Sequence, residues 1–286
     1  MTSRISFLNG QFIEHDKAFV HIEDRGFQFA DGVYEVILFQ QGKPIDGVPH
    51  MQRLFRSLGE VKIKHNFSQE KLMQIAQELL AKNNLSDASL YLQITRGAAN
   101  RVPYFPIASI EPTIVMTVSP AKKLSVEEFE AGLSLMTHED IRWQRCDIKT
   151  VGLLASTLIN QKAKDSGFND AVFVRNGVVT EGTFSNLFLI DAAGSLVTKE
   201  VDNFILCGIT RNRILDLAQK NGIKVIEKSF GVDELIQARE VFLSSSTLMI
   251  RPVTKIDSKP VGEGVVGNIT RQISELYKQF LLGAQS

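Results

Sequence analysis

The stretch CDIKTVGLLASTLINQKAKDSGFNDAVFVRNGVVTEGTFSNLFLI, residues 146–190, combines a helical pattern with strand patterns. Lys149 precedes the helix-like segment, and Glu181 follows a strand and opens the turn Gly-Thr-Phe-Ser-Asn. Most lysines and glutamates are solvated surface groups. The remaining sequence decides whether these two are surface charges or two ends of one catalytic site.

The amino-terminal part predicts strands and two helices. ISFLNGQFIE has Asn9-Gly10 between two strand-like runs, the strongest short hairpin signal. Helical spacing appears in HMQRLFRSLGEVKI and again over residues 68–82, where Ser68 is a predicted N-cap. Further strands are predicted at GVYEVILFQ, SLYLQITRG and PTIVMTVSP. We expect a small α+β domain over residues 1–120.

The carboxy-terminal part predicts a larger, mostly β domain with helices. The segment 119–127 leaves a strand through Pro120 and is the predicted connector into residues 121–286. The two clearest helices there are LLASTLINQKAKDSG and TRNRILDLAQKNG, and each ends in a glycine that suits a left-handed cap. The predicted fold class is therefore α+β with two domains.

The composition excludes several classes of function. The 286 residues include 32 basic and 32 acidic residues, so no excess positive charge favours nucleic acid or an anionic membrane surface. No apolar run approaches a membrane span, and the five histidines lack metal-ligand spacing. Cys146 and Cys207 lie far apart and fit no disulfide framework. We expect a cytoplasmic protein that binds neither metal, nucleic acid nor membrane.

The segment CGITRNRILDLAQKNG predicts an anion site. Gly208 precedes Thr210, which is the predicted N-cap, and free N–H groups at a helix start bind phosphate. The hydroxyl run that includes Ser246 and the guanidinium of Arg53 would add donors. Taken singly, each of these features is more often structural.

Lys149 adds a second chemical element to this anion site. Its neighbours Ile148, Val151 and Leu153 are apolar, and a desolvated lysine loses its proton readily and forms Schiff bases with aldehydes. A phosphate site together with such a lysine suggests pyridoxal 5′-phosphate. Glu181 would then be the carboxylate that keeps the ring nitrogen of this cofactor protonated.

Several ordered segments resemble the class IV aminotransferases, the fold-type IV pyridoxal-phosphate enzymes. They are DRGFQFADGVYEV, HMQRL, RCDIKT, EGTFSNLFLI and LCGITR. Within that family the chain is similar to the D-amino acid aminotransferases, because Lys149-Thr150-Val151-Gly152 replaces the Gly-Gly-Asn-Tyr-type stretch usual in branched-chain enzymes. The resemblance covers nearly the whole chain. It implies a small α/β domain and a larger pseudo-barrel β domain with helices.

The resemblance also implies a role for each matched residue. Lys149 would form the Schiff base and shuttle the substrate proton, and Glu181 would pair with the ring nitrogen. Leu206 would pack on the ring, and Tyr34 would lie in the substrate pocket. The implied phosphate-binding residues are Arg53, Ile209, Thr210 and Ser246.

The predicted substrate-binding loop departs from the family pattern. D-amino acid enzymes usually bind the substrate carboxylate with an arginine and with a histidine two positions later, on a loop that reaches the partner subunit. Arg101 stands at the arginine position here, but Pro103 stands at the histidine position and offers no hydrogen-bond donor. Tyr104 could supply a hydroxyl in its place. Arg25 and Arg96 could supply a second charge, although a structural ion pair is the simpler interpretation of these two.

These residues predict a homodimeric transaminase that moves an amino group between a D-amino acid and a 2-keto acid of the D-alanine and 2-oxoglutarate type. The alternatives within the family are a branched-chain transaminase, an (R)-amine transaminase and an aminodeoxychorismate lyase. A cofactor-binding or interaction protein without turnover is a further alternative from another class. The presence of Lys149, Glu181 and Arg53 together argues against that last possibility.

Overall fold

The computed structural model describes residues 4–106 and 110–283, which divide into two compact units. Unit 1 comprises the residues up to Lys122 together with Ile148–Gly152. Unit 2 comprises Lys123–Asp147 and the residues from Leu153 onward. Lys149 therefore belongs to unit 1.

Unit 1 is an antiparallel sheet with helices. Its elements are β1 (Ile5–Leu8), β2 (Gln11–Glu14), α1 (Arg25–Phe29), β3 (Gly32–Gln40), β4 (Lys43–Pro44), α2 (Gly47–Glu60), α3 (Gln69–Lys82), β5 (Ala88–Thr95) and β6 (Thr113–Pro120). A short 3₁₀ helix, His15–Lys17, follows β2. Within the described residues the strand order is β2-β1-β6-β5-β3-β4.

The core of unit 1 lies between this sheet and its helices. Val33, Ile37 and Phe39 alternate along β3, and they are buried with leucines from α2 and α3. The predicted β1–β2 hairpin is confirmed, and Asn9 adopts a left-handed φ of 47° at its turn. Ser68 caps α3 as predicted, because its side chain accepts a hydrogen bond from the Lys71 N–H.

Unit 2 combines a mixed sheet with helices. Its elements are α4 (Val126–Ala131), β7 (Leu133–Glu139), α5 (Leu154–Asp165), β8 (Asp170–Arg175), β9 (Val178–Gly182), β10 (Asn186–Ile190), β11 (Leu196–Thr198), α6 (Ile209–Lys220), β12 (Val225–Glu227), α7 (Val232–Ile236), β13 (Glu240–Ser245), β14 (Met249–Ile256), β15 (Lys259–Pro260) and α8 (Asn268–Gly283).

The sheet of unit 2 places the end of β9, the start of β10 and the end of β13 close together. Among the described residues its order is β12-β11-β10-β13-β14-β7-β8-β9, and β15 pairs with β14. The pairs β14–β7 and β7–β8 are parallel, whereas β8–β9 and β10–β13 are antiparallel. Asn186 of β10 is the register partner of Ser244 of β13. Glu181 lies near the end of β9 and is separated from Asn186 by a tight turn.

The carboxy-terminal ends of α5 and α6 agree with the sequence analysis, whereas the start of α6 differs from it. Gly167 and Gly222 both adopt left-handed φ angles after α5 and α6, as predicted. The prediction that Thr210 is the N-cap of α6 is wrong, because the helix starts at Ile209 and Gly208 is the N-cap. A Cβ at position 208 would overlap the Asn186 side chain, so glycine lets the chain pass close to β10 before the helix begins.

The sequence analysis did not predict the helix α8. Ile273, Tyr277 and Leu281 are buried on one face of it, at the four-residue spacing of an amphipathic helix. Among the helices of residues 4–106 and 110–283, none combines the length and the apolar character needed to span a bilayer.

Candidate active site

Lys149 is held at the open edge of β3 in unit 1. The Tyr34 N–H donates to the Lys149 carbonyl over 3.0 Å, and Thr150 forms an isolated bridge with Val33. The Lys149 Nζ lies 4.3 Å from the centroid of the Tyr34 ring. The structure therefore brings two predicted site residues, Lys149 and Tyr34, into direct contact. A charged ammonium over an aromatic face is stabilised electrostatically, which favours one position for Nζ.

Tyr34 is itself fixed by its strand and by a second aromatic ring. It is 9% exposed, and its ring is tilted against that of Tyr91, with 5.6 Å between the centroids. Tyr91 lies on the neighbouring strand β5. The sheet therefore fixes the ring against which the Lys149 Nζ lies.

Arg53 lies on α2 and is bound by a carboxylate that the sequence analysis missed. Glu35 of β3 accepts hydrogen bonds from Arg53 Nε over 2.7 Å and from Arg53 Nη2 over 2.8 Å. His50 Nδ1 lies 2.8 Å from the same carboxylate. The side chain of Glu35 is completely buried. Burial opposes its ionisation, but the charge and hydrogen bonds of Arg53 and His50 lower the pKa of Glu35 to about 2.

One signal in the sequence points to Glu35. It lies on the same strand face as Val33 and Ile37, so period-two alternation predicts a buried carboxylate that needs a cation. Tyr34 and Glu35 are successive strand residues and point to opposite faces. Lys149 and Arg53 therefore flank the same end of β3.

Glu181 is the centre of a buried polar cluster in unit 2. Its Oε2 accepts hydrogen bonds from the Leu206 N–H over 3.0 Å and from Asn186 Nδ2 over 3.1 Å. Its Oε1 accepts from Arg142 Nη1 over 2.5 Å. Asn186 Nδ2 also donates to the Leu206 carbonyl, which fixes the orientation of this amide. The structure thus brings together Glu181 and Leu206, which the sequence predicted, with Asn186 and Arg142, which it did not.

The predicted phosphate-binding residues of unit 2 lie at the start of α6 and at the end of β13. Ile209 and Thr210 are the first two residues of α6, and the N-cap, Gly208, supplies no side-chain hydrogen bond. The close approach of Gly208 to Asn186 places the start of α6 beside β10. Ser246 follows β13 directly, at the end of the strand that pairs with β10.

The hydroxyl of Ser244 lies on β13, two positions before Ser246 in the chain. Ser244 is 1% exposed, and its Oγ has no hydrogen-bond partner among residues 4–106 and 110–283. A buried polar atom without a partner is costly unless a ligand satisfies it. The helix start and this hydroxyl are therefore suited to an anion.

Arg101 lies elsewhere in unit 1, on an exposed segment. Its guanidinium is 5.1 Å from the centroid of the Phe29 ring. Pro103 is exposed on the same segment. The predicted loop RGAANRVPYFP spans residues 96–106, and residues 107–109, which follow it, lie outside the described residues.

Arg25 and Arg96 are paired rather than available to a substrate. Both guanidinium groups donate to the Asp31 carboxylate, over 2.9 Å from Arg25 Nε and 2.7 Å from Arg96 Nε. Arg25 Nη1 also donates to the Val102 carbonyl, which ties the Arg101 segment to α1. The structural interpretation of these two arginines is confirmed.

No group of three or more histidine, cysteine, aspartate or glutamate side chains is arranged to hold a metal ion within the part of the chain that the structure describes.

Cys146 is buried, and its burial raises the pKa of its thiol to about 11, despite the opposing charge of Arg142. Cys207 likewise forms no disulfide bond with another described residue.

Comparison with known proteins identifies the family. The model of the family "Amino-transferase class IV" matches residues 32–256. The D-alanine aminotransferase of Staphylococcus haemolyticus is 38% identical over 275 residues, which are 96% of this chain and 97% of that protein. The D-alanine aminotransferase of Bacillus licheniformis is 39% identical over 274 residues, which are 96% of each protein.

Solved structures confirm the predicted fold class. The branched-chain amino acid aminotransferase of Escherichia coli superimposes with a TM-score of 0.90 at 27% identity, over 97% of this chain and 94% of that one. The fold is thus the α+β fold of the fold-type IV enzymes. By its sequence and its fold, the chain belongs to the class IV aminotransferase family.

Proposed function

We propose that this aminotransferase moves an amino group between a D-amino acid and a 2-keto acid, of the D-alanine and 2-oxoglutarate type. The observation that carries the proposal is the identity of 38% and 39% to two D-alanine aminotransferases over 96% of the chain. The branched-chain enzyme of Escherichia coli, at 27% identity, supports the branched-chain alternative less well. The Lys149–Gly152 sequence also favours the D-amino acid enzymes.

The cofactor that we propose is pyridoxal 5′-phosphate, and the residues present fit it. Unit 1 offers Lys149 and Arg53. Unit 2 offers a buried carboxylate, Glu181, and an anion site formed by the uncapped start of α6 and the orphaned Ser244 hydroxyl. When bound, this cofactor supplies an aldehyde that condenses with amines and a ring that accepts electrons.

Lys149 is the proposed catalytic residue. Its Nζ would hold the cofactor between turnovers and then remove and return the proton at the substrate Cα. The Tyr34 ring, 4.3 Å from Nζ, keeps the amine near one position. Tyr34 is also the proposed wall of the substrate pocket, because it is the aromatic residue that Lys149 contacts.

Glu181 would hold the proton on the cofactor ring nitrogen. A carboxylate that accepts three hydrogen bonds is fixed in orientation and is suited to receive a further donor with its remaining lone pairs. Leu206 is the proposed ring-packing residue, since its N–H is bonded to the same carboxylate. The proposed phosphate-binding residues are Arg53, Ile209, Thr210 and Ser246.

Arg101 is the proposed partner of the substrate carboxylate. Its side chain is exposed, and Val102 is anchored by Arg25, so the guanidinium is presented from a tethered segment. Because Pro103 cannot donate a hydrogen bond, a single arginine would bind the carboxylate where the family usually uses two residues. We therefore expect a higher KM for D-amino acids than in relatives with both.

The proposed assembly is a homodimer. Phe19, Ile22 and Phe27 of unit 1 are 79%, 76% and 80% exposed. These three side chains lie within nine positions of one another in the chain, and we propose that the dimer covers them. Light scattering should give twice the 31.9 kDa mass of the chain, and Phe27→Asp should shift the protein toward the monomer. The cytoplasmic location and the equation of the two units with the two predicted domains stay predictions.

A panel of amino donors tests the proposed function. Purified enzyme with 2-oxoglutarate should transaminate D-alanine faster than L-alanine, L-leucine or (R)-1-phenylethylamine. Arg101→Ala should raise the KM for D-alanine with a smaller effect on (R)-1-phenylethylamine, which lacks a carboxylate. A preference for L-leucine would replace the proposal with the branched-chain alternative, and turnover in Lys149→Ala would remove the proposed catalytic residue.

A further inference from the structure

Arg142 is the cation that contacts Glu181 inside unit 2. Its Nη1 donates to Glu181 Oε1, and its side chain is only 11% exposed. The guanidinium also lies over the Phe173 ring, 4.4 Å from the centroid. Arg142 is a residue of the connection that follows β7, so it reaches Glu181 from a different part of the chain.

Asp140 fixes the orientation of Arg142. Its two oxygens accept hydrogen bonds from Arg142 Nε and Nη2, both over 2.9 Å, in a bidentate pair. Thr180 Oγ1 donates to Asp140 Oδ2 over 3.2 Å, and Arg175 forms an ion pair with Asp140 on its other side. The four charged groups therefore alternate in sign along the series Arg175, Asp140, Arg142 and Glu181.

This arrangement decides the charge of Glu181. Burial raises the pKa of Glu181, and the positive charge and hydrogen bond of Arg142 are the largest influences in the other direction. Asp140 adds a smaller repulsion, and the Cys146 thiol is kept neutral by its own raised pKa. The three partners of the carboxylate in the described residues all donate hydrogen bonds to it, and donors stabilise the charged carboxylate more than the neutral carboxyl.

We propose that Arg142 is a positioning residue that keeps Glu181 ionised and correctly oriented, and that Asp140 holds Arg142 in place for this purpose. The inference rests on the proposed role of Glu181 toward the cofactor ring nitrogen. Without Arg142, burial of the carboxylate is opposed only by two neutral donors, so Glu181 takes up a proton. A neutral Glu181 does not hold a proton on the ring nitrogen.

The experiment uses the full-length apoenzyme and ¹⁵N-labelled pyridoxine 5′-phosphate. This probe has the ring nitrogen and the phosphate but no aldehyde, so Lys149 cannot react with it. The ¹⁵N chemical shift reports whether the bound ring nitrogen is protonated, and a titration gives the Kd. The wild type is compared with Arg142→Met and Arg142→Gln. The matched control is Arg145→Met, since the Arg145 guanidinium pairs with Asp147 instead.

The wild type and Arg145→Met should both show a protonated ring nitrogen. Arg142→Met and Arg142→Gln should show a neutral one, with a Kd weaker by about tenfold to a hundredfold, as expected for a lost charge-assisted hydrogen bond. The glutamine variant replaces the cation with a neutral amide, so it remains informative if the methionine variant does not fold. A protonated ring nitrogen and an unchanged Kd in either folded Arg142 variant would overturn the inference.

Glu181→Gln separates this inference from the proposed function. If Glu181→Gln leaves the ring nitrogen protonated, the proposed role of Glu181 fails and the role of Arg142 fails with it. If Glu181→Gln deprotonates the ring nitrogen but neither Arg142 variant does, only the inference about Arg142 is wrong.

Discussion

Replacing Glu35 with glutamine should destabilise unit 1 by an amount that the structure allows to be calculated. The pKa of this buried carboxyl falls from its ordinary value of 4.5 to about 2. That difference corresponds to about 3 kcal/mol of unfolding free energy at neutral pH. Removal of one partner from a buried ion pair costs a similar amount, because the guanidinium of Arg53 loses this carboxylate.

The pH dependence has a definite sign. The folded pKa of Glu35 is lower than the unfolded one, so its stabilisation is fully present above about pH 5 and is lost as the pH falls toward 2. The wild type should therefore lose its advantage over Glu35→Gln through this range. Above pH 5 the difference between the two proteins should be constant.

Urea unfolding of the apoenzyme, followed at pH 7 and at pH 4 and below, measures this difference. Glu78→Gln is the control, because Glu78 forms an exposed pair with Lys82 on α3 and should change stability by less than about 0.5 kcal/mol. The double variant Glu35→Gln/Arg53→Met should be less destabilised than the sum of the single variants. A Glu35→Gln variant as stable as the control at pH 7, or strictly additive effects, would refute this reasoning.

Two further predictions concern close contacts. Gly208→Ala should weaken binding of pyridoxal phosphate by about tenfold or more, because the added Cβ displaces the Asn186 side chain from Glu181 and Leu206. The control is Gly59→Ala, which should bind the cofactor normally, since a Cβ there meets no described atom within 4 Å. A titration of both apoenzymes measures this, and equal affinities would contradict it. Asp31→Asn should lower the unfolding free energy by about 2 kcal/mol, because Arg25 and Arg96 share this carboxylate. Urea unfolding measures this difference, with Asp16→Asn as the control because Asp16 is exposed. An Asp31→Asn variant as stable as this control and the wild type would contradict the prediction.

The sequence predicts the fold well where local patterns determine structure. The hairpin at Asn9-Gly10, the Ser68 cap and the left-handed glycines after α5 and α6 depend on neighbouring residues, and all three are present. The prediction of Thr210 as the N-cap was wrong, because the helix begins one residue earlier, after Gly208, where a long-range approach to Asn186 leaves no room for a Cβ. The helix α8 has a clear four-residue apolar spacing, so it could have been predicted from the sequence.

The supporting residues of the site could not be predicted in the same way. Arg142 binds a glutamate 39 positions away, and Glu35 binds an arginine 18 positions away. No local spacing encodes either pair. Of these supporting residues, the sequence pattern indicates Glu35 alone, because a carboxylate on an apolar strand face requires a partner. The contact of Lys149 with Tyr34 likewise depends on pairing between β3 and residues 149–150, which lie more than a hundred positions further along the chain.

The most direct test of D-amino acid transamination is the visible absorption spectrum of the cofactor-loaded enzyme with an amino donor and no keto acid. D-alanine alone should bleach the band of the bound cofactor, because the amino group passes to the cofactor and no acceptor restores it. L-leucine under the same conditions should leave the band intact. Bleaching by L-leucine and not by D-alanine would contradict the account, and the substrate assignment would fall while the family and the fold remained.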